Sequence, residues 1–96
     1  MSTICFFNIR KVYDELAMET YRSRVMETVS PFQGKFLVLG GSHETKEGNW
    51  HPSNTILIEF PSLELANAWY HSKVYGPLKN LRITSVDSDA VFFNGL

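Results

Sequence analysis

The chain has 96 residues, 44% of them hydrophobic and 20% charged, with nine lysines and arginines against ten aspartates and glutamates. That length leaves room for one domain, residues 1–96, and the near-even charge balance removes the basic footprint that nucleic acid or an anionic membrane surface requires. Cys5 stands alone and cannot form an internal disulfide, and apolar runs of about four residues fall far short of the about 20 that a membrane span needs.

Without a basic-then-apolar leader at Met1-Ser2-Thr3, the expectation is a soluble cytoplasmic protein. A chain this short buries only roughly 60–68% of the surface its unfolded form exposes, so association with a second copy would help it.

Thr3 to Ile9 is rich in β-branched and aromatic residues, with Ile4 and Phe6 on one face and Cys5, Phe7 and Ile9 on the other. This reads as a strand buried on both sides. From Asp14, an N-cap residue, apolar positions recur at Met18, Tyr21, Val25, Val29 and Phe32, while Glu15, Glu19, Arg22 and Glu27 face away. Pro31 disfavours helical geometry at Ser30, so the helix should end or kink there. Gly34 then releases the chain into a second strand, Lys35 to Leu39, that stops at Gly40-Gly41.

A third strand is expected over Thr55 to Phe60, and Pro61-Ser62 signals a helix start with Ser62 as N-cap and Glu64 in the first turn. Leu65, Ala68, Trp69 and Ser72 then share a helical face. Gly76-Pro77 reads as a break before a short turn carrying Leu78, Leu81 and Arg82, and Ala90 to Phe93 closes as a fourth strand.

The order strand, helix, strand, strand, helix, strand is the split βαβ arrangement of an α+β ferredoxin-like sandwich, an antiparallel sheet with helices on one face. Strands one, two and four carry apolar residues on both faces, with Phe36 and Val38 set against Leu37 and Leu39 on strand two. The uncovered face would exceed the apolar patch usual on a monomer. A two-fold homodimer packed sheet to sheet is therefore expected.

One ordered set of residues carries a resemblance. Gly34-x-Phe36-Leu37-Val38-x-Gly40-Gly41 is followed by Glu47-Gly48-x-Trp50-x-Pro52 and Ile58-Glu59-Phe60-Pro61-Ser62. Ala68-Trp69-Tyr70-x-Ser72-x-x-Tyr75 and Arg82 complete it. From Tyr21 to about Phe93 the chain resembles the family catalogued as domain of unknown function 1330. The resemblance implies a dimeric α+β barrel, the fold of small cofactor-free monooxygenases, muconolactone isomerase-like enzymes, aldoxime dehydratases and haem-binding relatives. The family pattern has an arginine shortly after its Trp-x-Pro where this chain has Asn54, which leaves Arg82 as the remaining candidate for an anion-binding charge.

Both tryptophans and all three histidines lie between His43 and His71. Trp50, Trp69, Tyr70 and Tyr75 suit an aromatic pocket for a flat or amphipathic ligand, with core and interface packing as the ordinary alternative. Glu59 shares a face with Leu57; there desolvation would fit it for proton transfer, unless it forms a structural ion pair.

His43, Glu47 and His51 offer ligand types but not ligand geometry, because residues four apart on a strand stand about 13 Å from each other. No metal site and no cofactor are expected. His71 belongs near a helix end, and Cys5 reads as a small buried hydrophobe rather than a nucleophile. Gly40-Gly41-Ser42 lacks the lysine of a phosphate-binding loop. The connection from Ser42 to Asn54 is too long for a tight hairpin, and such loops are usually functional or form interfaces. Neither the RNA-binding sheet pattern nor a Cys-x-x-Cys is present.

The leading expectation is a homodimer binding a small organic molecule in a cleft between sheet and helices. Tyr21, Trp50, Trp69 and Tyr75 would line it, Glu59 or Arg82 would anchor it, and any chemistry would be cofactor-independent isomerase-like or monooxygenase-like. The alternative is a non-catalytic dimeric structural or interaction module.

Overall fold

The computed structural model describes residues 1–96. Its elements are β1 (Thr3–Val12), α1 (Glu15–Val29), β2 (Lys35–Leu39), β3 (Thr55–Phe60), α2 (Leu63–Tyr70), α3 (Gly76–Ser85) and β4 (Val86–Asn94), with one turn of 3₁₀-helix over Ser30–Phe32 after α1. The strands form one antiparallel sheet in the order β2-β3-β1-β4.

The start signals act as the sequence suggests. The Asp14 carboxylate accepts the Ala17 N–H at 3.1 Å, and Ser62 Oγ accepts the Leu65 N–H at 3.2 Å. Pro31 ends the α-helical pattern by tightening it into the 3₁₀ turn, and Gln33 then takes a left-handed φ of 65°. Met18, Tyr21, Val25 and Val29 of α1 are buried at the expected spacing.

Several expectations need correction. The turn after Tyr75 is a full helix, α3, because a proline in the first helical turn starts a helix rather than breaking one. Strand β4 begins at Val86, four residues before Ala90, and pairs with β1 from Val12↔Val86 to Thr3↔Asn94. Asp87, Ser88 and Asp89 are poor strand formers, yet this pairing holds them extended, and Arg10 donates to both aspartates. On α2 the buried positions are Ala66 and Trp69, whereas Ala68 is exposed.

Two bulges decide which side chains share a face. One lies between Ile9 and Lys11 on β1, and the other between Phe36 and Val38 on β2. Phe36 pairs with Ile58 and faces the helices, but Val38 pairs with Leu57 and faces away from them, so the expected face shared by Phe36 and Val38 does not form. Cys5, Phe7, Ile9, Ile56, Ile58 and Phe60 meet α1, α2 and α3 in the core. Ile4, Phe6, Val38, Leu57, Val91 and Phe93 lie on the opposite, open face, where Val91 is 44% and Phe93 54% exposed.

Candidate ligand-binding site

Four of the sequence-predicted residues meet between the sheet and the helices. Trp69, at the buried centre of α2, stacks on Tyr75 with ring centroids 4.1 Å apart and meets Phe7 edge-to-face at 6.1 Å. Its indole N–H donates to Thr28 Oγ at 3.0 Å, and Thr28 donates in turn to the Val25 carbonyl. Tyr21 reaches in from α1, and its hydroxyl lies 2.8 Å from that of Tyr75.

Arg82 follows Tyr75 by seven residues, two turns along the same helical face. Its Nε donates to the Tyr75 oxygen at 3.4 Å, its Nη1 donates to Ser88 Oγ at 3.1 Å, and its guanidinium lies 5.0 Å from the centre of the Phe7 ring. Only 3% of Arg82 is exposed. No carboxylate pairs with it, because the ion pairs of the protein are Arg10 with Asp87 and Asp89, Arg24 with Glu27, and Lys46 with Glu44.

The electrostatics follow from burial. Desolvation holds the Tyr21 phenol well above its ordinary pKa and raises that of Tyr75, with the Arg82 charge pulling against both. Burial opposes the Arg82 charge, but the neighbouring Tyr75, Tyr21 and Tyr70 hydroxyls outweigh it, so the guanidinium stays cationic. Tyr70 is half-buried and links the cluster to the surface. Its ring lies 6.1 Å from Tyr75 and 5.6 Å from Phe92, and with Asn67, His71, Ala90 and Phe92 it lines a depression of about 240 Å³. Lys79 caps the far side of Tyr70, 4.5 Å from the ring centre.

Trp50 and Glu59 do not join them. Trp50 is 59% exposed and stands over the open face of the sheet, on the β2–β3 connection. That loop is braced by Thr45, whose hydroxyl donates to the Trp50 carbonyl at 2.7 Å and lies 3.3 Å from His51 Nδ1. Glu59 pairs across the sheet with Ile4 and Lys35, so it too lies on the open face, beside a surface depression with Ser2, Gln33 and Lys35. Alternation put Glu59 with Leu57 correctly, but no layer covers that face, and the carboxylate keeps contact with solvent.

Cys5 is fully buried, and desolvation pushes its thiol up to about 12. No three His, Cys, Asp or Glu side chains converge as a metal-binding group, although the His43 and His51 rings lie 5.7 Å apart. No helix is long and apolar enough to cross a membrane. Phe7 and Ser88 belong to the Arg82 cluster but carry no sequence signal of it, since Ser88 falls in a segment that does not read as a strand.

A four-stranded antiparallel sheet in the order β2-β3-β1-β4 with its helices on one face is the ferredoxin-like α+β fold. Solved structures similar to this chain include a protein of unknown function from Rhodopseudomonas palustris, at 17% identity and a TM-score of 0.78. That match covers 99% of this chain and 82% of the other. A dimeric ferredoxin-like protein of unknown function from Jannaschia sp. CCS1 matches at 10% identity and a TM-score of 0.67, covering 99% of this chain and 100% of that one. SnoaB, a cofactor-independent oxygenase from Streptomyces nogalater, matches at 8% identity and a TM-score of 0.56, covering 99% and 91%. No curated protein matches the sequence. The family model of DUF1330, a domain of unknown function, matches residues 4–96, and the chain belongs to that family.

Proposed function

We propose that the protein is a cytoplasmic homodimer whose open sheet faces pack together, and that each protomer binds a small organic anion at Arg82 between sheet and helices. The observation that carries the binding site is the buried guanidinium without a carboxylate. A buried charge lacking an opposite charge is costly, and a tyrosine oxygen, a serine hydroxyl and an aromatic face offset only part of that cost. A ligand carboxylate or enolate would complete the set. Tyr75 accepts from Arg82 and shares a second hydrogen bond with the Tyr21 hydroxyl, so the guanidinium and the two phenols together suit stabilisation of an oxyanion. The dimer draws support from the exposed apolar open face and from the dimeric description of the Jannaschia protein.

Chemistry at such a site would be cofactor-independent proton transfer or oxygenation. The likeness to the Streptomyces nogalater oxygenase supports that class through the fold alone. A second reading, a non-catalytic dimeric module, is favoured by the near-complete sealing of Tyr21, Trp69 and Tyr75. Thermal-shift titration of the parent and Arg82→Gln with benzoate, salicylate and phenylacetate separates the two. The site predicts stabilisation of the parent by at least one of these carboxylates and a loss of affinity of about tenfold or more in Arg82→Gln. Equal responses in both proteins, or none in either, would leave the non-catalytic module.

A further inference from the structure

Two of the three histidines stand on the long β2–β3 connection, across the sheet from Arg82. Extended chain would hold His43 and His51 about 27 Å apart. The connection instead folds back on itself. Gly48 takes a left-handed φ of 84°, and the Thr45 hydroxyl donates to the Trp50 carbonyl at 2.7 Å. This brings the His43 and His51 ring centres to 5.7 Å, with the rings inclined at 53° rather than stacked. Both side chains are exposed, and neither takes part in an ion pair.

The same hydroxyl decides which nitrogen of His51 is free. Thr45 Oγ has one proton, and that proton goes to the Trp50 carbonyl. In the 3.3 Å contact with His51 Nδ1 the ring nitrogen is therefore the donor and Thr45 Oγ the acceptor. His51 Nε2 then carries the lone pair. An imidazole with one N–H engaged and its other nitrogen unprotonated is the form in which histidine ligates a metal. Pro52 adds to this ordering, because it restricts the backbone of the residue before it.

The ring separation fits a shared ion. Two imidazoles with nitrogen–metal bonds of about 2.0–2.1 Å place their ring centres about 4.5 Å apart for a right angle at the metal and about 6.3 Å apart in line. The observed 5.7 Å falls between these limits. We infer that His43 and His51 form a two-histidine site for a divalent transition-metal ion, Cu²⁺ or Zn²⁺, with Thr45 as the positioning residue of His51. No third His, Cys, Asp or Glu joins them, so the remaining coordination positions fall to water or an incoming ligand. Imidazole suits both ions, and Cu²⁺ binds the more tightly.

Calorimetric titration of the untagged protein with CuSO4, ZnCl2 and MgCl2 tests the site. The parent should bind one Cu²⁺ or Zn²⁺ per chain, with Cu²⁺ the tighter, and should not bind Mg²⁺, which prefers oxygen ligands. His43→Gln and His51→Gln should each weaken Cu²⁺ binding at least tenfold, while His71→Gln should match the parent. Both replaced side chains are exposed on a loop, so the metal-free Tm of each variant should equal the parent's. Thr45→Val should weaken binding about tenfold and Thr45→Ser, which keeps the hydroxyl, should restore it. Cu²⁺ should also quench an indole emission that Trp50→Phe lacks, since Trp50 adjoins His51 in the chain.

No binding of Cu²⁺ or Zn²⁺ by the parent, or binding equally tight in the parent and both histidine variants, would overturn the inference. A Thr45→Val variant that binds as tightly as the parent would overturn the role of Thr45.

Discussion

Tyr21 and Tyr75 share one hydrogen bond in a layer that excludes water, and both hold their protons above the ordinary phenol range. In the unfolded chain both would ionise near pH 10, so above that pH the folded state retains more protons than the unfolded one. Stability contributed by this pair is therefore fully present below about pH 10 and falls as pH rises beyond it. Absorbance titration at 295 nm should show phenol ionisation that arrives only with the alkaline unfolding transition, and that component should shrink in Tyr21→Phe and Tyr75→Phe. The roles of these residues were partly legible from the sequence, since Tyr21 falls on the apolar stripe of α1 and Trp69 near the apolar face of α2. The polar connection to Arg82 and Ser88 was not, because it spans α1, α3 and β4.

Among the elements, the passage from α1 to β2 is the tightest. Gly34 sits where an added Cβ would run into the Val29 side chain and stand 2.6 Å from the Phe60 ring. Both neighbours are core residues with little freedom to move. Gly34→Ala should therefore cost about 1–3 kcal/mol through overpacking, lowering Tm by roughly 4–8 °C for each kcal/mol, as differential scanning calorimetry would show. Strands β2 and β3 and helix α1 were readable because their apolar periods and caps are local. Helix α3 was misread because Gly76-Pro77 carries the same dipeptide signal whether a helix stops or starts. The early part of β4 was hidden because its extended form comes from pairing with β1, against the preference of Asp87-Ser88-Asp89.

For the molecule as a whole, the sheet divides two environments. Its inner face is closed by the three helices, while Phe6 and Phe93, with ring centroids 6.5 Å apart, lie on the other face, which no helix covers and the β2–β3 connection only overhangs at one side. Native mass spectrometry at micromolar concentration should show a dimer for the parent. The double variant Val91→Lys with Phe93→Lys should shift it to monomer with an unchanged far-UV circular dichroism spectrum, since both positions are exposed on β4. A persistent dimer in that variant would place the interface elsewhere.

By itself the sequence determined the element order, the two capped helices, the two-faced strands and therefore the ferredoxin-like sandwich. All of these follow from periodicity and capping within windows of a few residues. Only the tertiary structure decided that Trp50 and Trp69 stand on opposite sides of the sheet, and that Arg82 is sealed in while Glu59 is not. Packing of the helices on one face and the path of the β2–β3 connection over the other set those placements, and the two bulges likewise reverse which face the following strand residues occupy without altering the composition of the sequence.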